Sequence, residues 1–592
     1  MISTKGLLMS DYSPPLNDMR FVLNHVVGLQ HLPEHEDLGV LDIDMVDSVL
    51  EPAAKLASEV LAPINKSGDE QGAVLNNNIV KTADGFKEAY AQYRDGGWNA
   101  VPFSSKYGGQ ELPWLVAFPL QEMWQGANMS FGLCPLLNQG AVEAIEKHGS
   151  QEQKDFYLEK LISGEWTGTM NLTEPQAGSD LSAIRTKAEP DNEGQYRIFG
   201  QKIYITYGEH DMAENIIHLV LARLPNAPEG VKGISLFSVP KFLSDGTRND
   251  VQCTGLEHKL GIHASPTCTM QFGDDAGAVG YLIGEENQGL KCMFTMMNNA
   301  RLSVGLQGVA IAERSYQQAI IYAKDREQGT SLSDKSTRVA IIEHADVKRM
   351  LMGMKAQIEA MRALTYEAAL QLDLAANGNE RARAKADLLT PIVKSFGTDM
   401  AVEVTSTGVQ IHGGMGFVEE TGAAQHYRDA RILPIYEGTN GIQSLDLLFR
   451  KIMRDQGEAL KEFFKEGFEV VNLLKSTNSK NLMLIEDSLN SALKTVQKSA
   501  LQLSSRTLEN PDSGSALSMP FLNMMGTLAG GVMMGRSALK ANELLEFGED
   551  NKEFLQSKIN TAEFYSTHIL VRVYSYEGTI SGGDDSVLRA KL

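Results

Sequence analysis

Apolar and polar positions change rhythm along the chain. From about residue 40 to 165 apolar residues recur at steps of three and four, as in "DMVDSVLEPAAKLASEVLAPI" from Asp44 to Ile64, and this predicts helices. The texture then changes. "QYRIFGQKIYITYG", "ENIIHLVLARL", "GISLFSVPKF" and "CTMQFGDD" are short, rich in β-branched and aromatic residues, and punctuated by Gly, Asn and Asp; they predict strands of a small β domain over about 167–283. No proline occurs between Pro266 and Pro391, which suits long helices, and Val347, Met350, Met354, Ile358 and Met361 draw one apolar stripe at helical spacing. A last helical region, with "NLMLIEDSLNSALKTVQKSALQL", is interrupted by "NPDSGSALSMP". No fixed period suggests a solenoid. The predicted order is an arm with a short helix (1–38), a helical domain (39–165), a β domain (166–284), a second helical domain (285–452) and an additional helical domain (453–592). The fold class is therefore α+β, mainly α.

Composition narrows the function. At 592 residues the chain is too long for one core, so three or four domains are expected. A net charge of −21 repels phosphate backbones and anionic lipid, which argues against nucleic acid and membrane surfaces. A small anionic ligand is still allowed, because a local basic site can outweigh the global field. Cys134, Cys253, Cys268 and Cys292 are far apart and form no CxxC pair, so they read as reduced thiols of a cytoplasmic protein without structural zinc. His31 and His35 stand at i,i+4, but Pro33 lies between them, and no metal is expected. The start is too soon broken by polar residues for a signal peptide, and no apolar run reaches the ~20 residues of a membrane span. No GxGxxG follows a strand, "GEENQGLK" has Leu290 where a P-loop has its lysine, and GxSxG and HExxH are absent.

Five stretches remain as candidates. "MNLTEPQAGSDLSAIRT" (Met170 to Thr186) is a loop fixed by Pro175 and Gly178 that offers the hydroxyls of Thr173 and Ser179. In "GQKIYITYG" Tyr204 and Thr206 lie two apart on a strand and share a face, an aromatic plane beside a hydroxyl that suits a flat heterocycle. "NNARLSVGLQGVAIAERSYQQAIIYAKDREQG" carries Arg301 and Arg326. "GVQIHGGMGFVEETG" has Gly413, Gly414 and Gly416, which let a backbone or phosphate approach closely. "RILPIYEGTNGIQ" holds one carboxylate, Glu437, between Tyr436 and Gly438 after an apolar approach. Each alone has a plain structural reading as a loop, a packed strand, a solvated arginine or a surface acid.

Together, in this order, these segments resemble the acyl-CoA dehydrogenase family over about residues 40–450; "LTEPQAGSD", "GQKIYIT", "GVQIHGGMGF" and "YEGTNGIQ" each look like a family signature. The resemblance implies an N-terminal α domain, a β-barrel-like middle domain and a four-helix C-terminal domain. FAD is bound without a Rossmann loop, between the last two. "YSPPLNDMRFVL" and the added C-terminal helices resemble a long branch that acts on 3-methylmercaptopropionyl-CoA in dimethylsulfoniopropionate breakdown. The family's base falls on Glu437; its alternative base position falls on Ala300, so no second carboxylate competes. The resemblance assigns Met170, Leu172, Thr173, Gly178, Ser179, Tyr204 and Thr206 to the flavin, with Tyr204 in place of the usual tryptophan. Thr439 falls on the FAD phosphates. Arg326, Gln410 and Gly414 would reach the FAD of a neighbouring subunit, implying a homodimer or dimer of dimers. For the acyl-CoA substrate it implies Ser179, Asn298, Arg301, Tyr436 and Gly438; Asn298 stands where an aspartate commonly meets CoA. Gly441 replaces a frequent glutamine, and "REQG" replaces the usual pattern after Arg326.

The reaction implied is α,β-dehydrogenation of an acyl thioester, with electron-transfer flavoprotein as acceptor. A carboxylate shielded by Ile432, Leu433, Ile435 and Tyr436 suits the base, since desolvation raises its pKa toward the working pH. Met293, Met296 and Met297 precede Arg301 and would suit either a soft pocket for a sulfur-containing chain or plain core. Three alternatives are a general short- or medium-chain dehydrogenase, an acyl-CoA oxidase, and a non-catalytic binding protein like the DNA-alkylation-response branch. The last has a basic C-terminal domain, whereas residues 451–592 here carry 16 Lys and Arg against 18 Asp and Glu.

Overall fold

The computed structural model describes residues 12–34, 39–191, 194–333, 335–477 and 479–592; the side chains of Asn298 and Asn481 and the whole of His35 lie outside that description. In chain order the main helices and strands begin with α1 (Leu16–Phe21), which runs on as a π-helical turn to Val27, and α2 (Ile43–Lys55). Then come α3 (Trp114–Ala127), α4 (Met129–His148) and α5 (Gln151–Ser163). The strands are β1 (Trp166–Asn171), β2 (Lys187–Pro190), β3 (Tyr196–Thr206), β4 (Asn215–Arg223), β5 (Ile234–Pro240), β6 (Val251–Leu256), β7 (Thr267–Phe272) and β8 (Ala278–Ile283). Helices follow: α6 (Gly289–Asp325), α7 (Ala345–Ala376), α8 (Glu380–His412), α9 (Ala423–Ala430) and α10 (Asn440–Leu445), the last continued to Ile452 by a π-helical stretch. The chain ends with α11 (Glu458–Ser476), α12 (Lys480–Glu509), α13 (Pro511–Phe547), α14 (Lys552–Phe564) and α15 (Arg572–Gly582).

Two compact units emerge. One comprises residues 53–113 and 123–303, the other 14–52, 114–122 and 304–592. In the first, α4 starts on an Asn128 cap whose side chain accepts from Phe131 N–H at 3.1 Å, and α5 starts on a reciprocal Ser150/Gln153 box. The sheet runs β8-β5-β4-β2-β3-β7-β6, with β1 parallel to β4, and β8 also pairs with β3, so the strands close on themselves as a barrel-like layer. Ile198, Val220, Phe237, Val251, Met270 and Phe272 fill its interior. Met293 and Met296 are buried in the seam with α4, where Gly140 makes room: a Cβ there would stand 2.9 Å from Met296 Cε. These thioethers are core.

The second unit is helical. The stripe expected on α7 faces inward at Met354, Ile358 and Met361. α6 and α8 approach backbone to backbone, for a Cβ on Gly308 would lie 2.4 Å from the Gly397 carbonyl oxygen. Helix α13 is the one described helix long and apolar enough to cross a membrane by composition, and most of it is buried within this unit. The proline-led N-terminal arm is core here: Met19, Phe21, Val22, Leu23, Val26 and Val27 are all buried.

Charges are buried in this unit too. Arg362 on α7 donates to Glu122 from Nε at 2.9 Å and Nη2 at 2.7 Å, to Glu313 at 2.8 Å, and to Asp18. Lys558 of α14 meets Asp18 and Glu359, the latter at 3.0 Å, between the rings of Phe21 and Phe554.

Candidate active site

In the first unit the loop after β1 is anchored before it is functional. Glu174 accepts from Lys202 Nζ at 2.8 Å, from Arg185 N–H at 2.7 Å, from Thr186 N–H at 3.0 Å and from Thr186 Oγ1 at 2.6 Å. Lys202 also donates to the Leu172 carbonyl at 3.0 Å, and Ile203 N–H donates to Thr173 O at 2.9 Å. The "LTEPQAGSD" loop is thus tied to the "GQKIYIT" strand through a buried ion pair. Burial opposes ionisation of Glu174, but Lys202 and the hydroxyl and amide donors outweigh it and hold its pKa at about 2; burial pushes Lys202 down to about 8.

Strand β3 bulges at the same place. Its register on β7 runs Lys202↔Met270 and then Ile205↔Cys268, so Ile203 and Tyr204 face the single Thr269. Tyr204 takes a left-handed φ of 60° and is 59% exposed, while Thr206 is half-buried. Non-glycine residues in that region cost about 1–3 kcal/mol and cluster at functional sites. Of the other expected residues, Met170 is buried, Leu172 and Thr173 are half-buried, and Gly178 and Ser179 are exposed. Arg301 is buried on α6.

Replacing Glu174 with Gln is expected to cost about 1.5–3 kcal/mol, the range for hydrogen bonds to charged groups, because Lys202 can shed its proton. A urea midpoint and the flavin content of the purified protein check this. Since the folded pKa is depressed below the ordinary 4.5, the carboxylate's contribution in the wild-type protein is present above pH 4.5 and is lost as pH falls toward 2.

In the second unit the segment 431–443 is a closed turn. Ile435 N–H donates to Ile432 O at 2.9 Å, Tyr436 N–H to the same carbonyl at 3.2 Å, and Asn440 N–H to Pro434 O at 3.1 Å. Glu437 sits at its apex with φ 54°, followed by Gly438 at φ 86°. Tyr436 Oη donates to Gln307 of α6, and Gln443 Nε2 donates to the carbonyls of Gly438 at 3.2 Å and Glu437 at 3.5 Å. Thr439 Oγ1 caps α10 by accepting from Ile442 N–H at 3.2 Å. Burial, then the neighbouring Glu437 charge, push the Tyr436 phenol well above its usual range. Leu433 is buried, and Ile432, Tyr436 and Glu437 are half-buried; Ile435 is exposed and does not exclude water within this chain.

The turn is held by α8. Asn440 accepts from Lys394 Nζ at 2.8 Å and donates to Asp399 at 2.8 Å, Thr398 Oγ1 at 3.0 Å and Ser395 O at 3.3 Å. At the far end of α8, His412 stacks on Tyr322 with centroids 4.5 Å apart, which brings the last turns of α6 and α8 side by side. Exposed Arg326, Gln410 and Gly414 therefore lie at one end of this unit. Glu174, Lys202, Gln307, Lys394, Asn440 and Gln443 were not singled out from sequence. A lone charge inside an otherwise β-branched strand, as at Lys202, is the one signal that could have found any of them.

The chain matches four domain families in order: "Acyl-CoA dehydrogenase, N-terminal domain" over 47–165, "Acyl-CoA dehydrogenase, middle domain" over 169–274, "Acyl-CoA dehydrogenase, C-terminal domain" over 287–452, and "Acetyl-CoA dehydrogenase C-terminal like" over 463–591. It belongs to the acyl-CoA dehydrogenase family of FAD-dependent oxidoreductases. A 3-methylmercaptopropionyl-CoA dehydrogenase of Ruegeria pomeroyi is 46% identical over 98% of this chain and 100% of its own length. A butyryl-CoA dehydrogenase of Syntrophomonas wolfei is 36% identical over 92% of this chain and 93% of its own. An acyl-CoA dehydrogenase from Bacillus anthracis, solved with FAD, shares the fold at a TM-score of 0.74 and 21% identity, covering 95% of this chain and 91% of that one.

Proposed function

We propose that this protein oxidises 3-methylmercaptopropionyl-CoA to its α,β-enoyl-CoA, with Glu437 as the base that removes the Cα proton. The observation that carries the reading is the conformation of Glu437, a left-handed residue fixed on three sides by Tyr436–Gln307, Asn440–Lys394 and Gln443. Such strain persists only where the surroundings over-determine it. Sequence identity across the whole length of the R. pomeroyi dehydrogenase supports the substrate.

The residues present fit FAD. Tyr204 offers an exposed aromatic plane, and a Cβ at Gly178 or at Gly414 would meet nothing within 4 Å, leaving room for a ligand. Met170, Leu172, Thr173, Gly178, Ser179, Tyr204, Thr206 and Thr439 would hold it, with Arg326, Gln410 and Gly414 from a second copy. When bound, FAD supplies the acceptor for the hydride that leaves Cβ. Glu437 takes the Cα proton, and the Cα–H electron pair becomes the new Cα=Cβ bond. Main-chain donors beside Glu437 stabilise the thioester oxygen as charge develops, a contribution whose loss typically costs about 10²–10³ in rate. Gly438, without a Cβ, lets the thioester lie against the main chain. Ser179, Asn298, Arg301 and Tyr436 would bind the CoA ester. We assign electron-transfer flavoprotein as the acceptor, a homo-oligomer as the assembly and the cytoplasm as the location.

Anaerobic bleaching of the flavin by a panel of acyl-CoAs tests this. The methylthio substrate is expected to bleach fastest. Faster bleaching by butanoyl- or octanoyl-CoA makes the protein a general short- or medium-chain dehydrogenase, and rapid peroxide formation in air makes it an oxidase.

A further inference from the structure

Helix α13 lies in the region after residue 453, and it touches both elements that hold the Glu437 turn. Ser518 Oγ of α13 and Ser444 Oγ of α10 lie 2.9 Å apart, both buried; with one proton each, one hydroxyl donates across to the other, while the second donates to its own helix carbonyl, Gly441 O or Ser515 O, each 2.8 Å away. Farther along, Gly526 is packed so tightly on α8 that a Cβ there would stand 2.5 Å from Phe396 Cβ and Cγ. Phe396 lies between Lys394 and Thr398, the residues that grip Asn440.

Both hydroxyls have acceptors within their own helices, but the bond between them forms at one axial setting of α13 against α10, and a directional polar contact favours that arrangement where apolar packing tolerates sliding. Burial of α13 does not require it, since Phe521, Leu522, Met524, Met525 and Leu528 already supply an apolar face. The two contacts therefore set the positions of α10 and α8, and Asn440 is where both converge on the turn.

We infer that α13 is a positioning element for the proposed base: Ser518, through Ser444, and Gly526, through Phe396, set the aim of Glu437. The inference rests on Glu437 being the base. Its physical scale is that of active-site misalignment, where a shift of about 1 Å costs on the order of 10²-fold in rate.

The test compares Ser518→Ala, Ser518→Thr, Gly526→Ala, Glu437→Gln and Leu539→Ala in the full-length holoenzyme. Leu539 is buried on α13 but lies 21 residues beyond Ser518, about 30 Å along the helix, and serves as a control for lost stability. Expected are an approximately tenfold slower anaerobic flavin reduction for Ser518→Ala and about 10²-fold for Gly526→Ala. KM and flavin content hold, and Ser518→Thr recovers the rate. Amide exchange at Tyr436 and Asn440 quickens in both variants, in flavin-free protein as well, whereas Leu539→Ala lowers Tm and leaves rate and exchange alone. If Ser518→Ala and Gly526→Ala slow reduction no more than Leu539→Ala, or leave exchange in 433–443 unchanged, the inference is overturned while the base stands. If Glu437→Gln retains its rate, the base is wrong and the inference falls with it.

Discussion

Glu437→Gln protein is expected to bind its flavin and reduce it about 10³–10⁴-fold more slowly than wild type when substrate is added without oxygen, in the upper range for a general base. Glutamine has the same length and keeps the turn's main-chain hydrogen bonds, so Asn440, Gln443 and Tyr436 hold it as they hold Glu437. It cannot accept the Cα proton. Substrate affinity should change little, which places the loss in the chemical step rather than in KM. By the family resemblance the alternative base position falls on Ala300, whose methyl group has no proton acceptor to offer. Stopped-flow absorbance in the flavin band measures the effect directly; a rate within threefold of wild type would remove Glu437 from the mechanism.

The fold was legible where side chains alternate or step cleanly. β3, β4 and β5 fall within stretches rich in Ile, Val, Leu, Phe and Tyr, and α7 contains its Met and Ile stripe. β1 was read only as the approach to a loop, because its inward face is polar. Thr167, Thr169 and Asn171 are buried there, with contacts such as Thr167–His210 at 2.9 Å and Thr169–His218 at 2.8 Å, and a polar interior leaves no hydrophobic alternation to read. The arm was obscured by Pro14 and Pro15, which break the chain just before a helix whose apolar residues are buried. At the site, the residues proposed to touch ligand were singled out by type (a lone carboxylate, hydroxyls on a Pro-Gly loop, an aromatic on a strand) and received their roles from the family resemblance of the stretches taken together. Their supports were not. Lys394 and Asn440 are 46 positions apart, and Glu174 and Lys202 are 28 apart; sequence separation hides such pairs until the fold closes them.

Arg362→Met should be among the most damaging single changes to stability, at about 3–5 kcal/mol, because it leaves carboxylates buried without their cation. Asp18 comes from α1, Glu122 from α3, Glu313 from α6 and Arg362 itself from α7, so four helices distant in sequence meet at one guanidinium. Tyr366 Oη also donates to Glu122 at 2.7 Å but carries no charge to replace it. Lysine should rescue poorly: its single ammonium cannot reproduce a fork that serves Glu122 from two nitrogens and Glu313 and Asp18 besides. The exposed pair Arg381–Glu462 is the contrast, worth at most about 1 kcal/mol and weakened by salt. Urea unfolding should show the Arg362→Met deficit undiminished at about 1 M salt, where only exposed charges are screened. Amide protection should fall together in Leu16–Val27 and α14, since Asp18 links Arg362 to Lys558. A midpoint unchanged from wild type would mean that the four helices hold by apolar packing alone, with Arg362 a passenger among them.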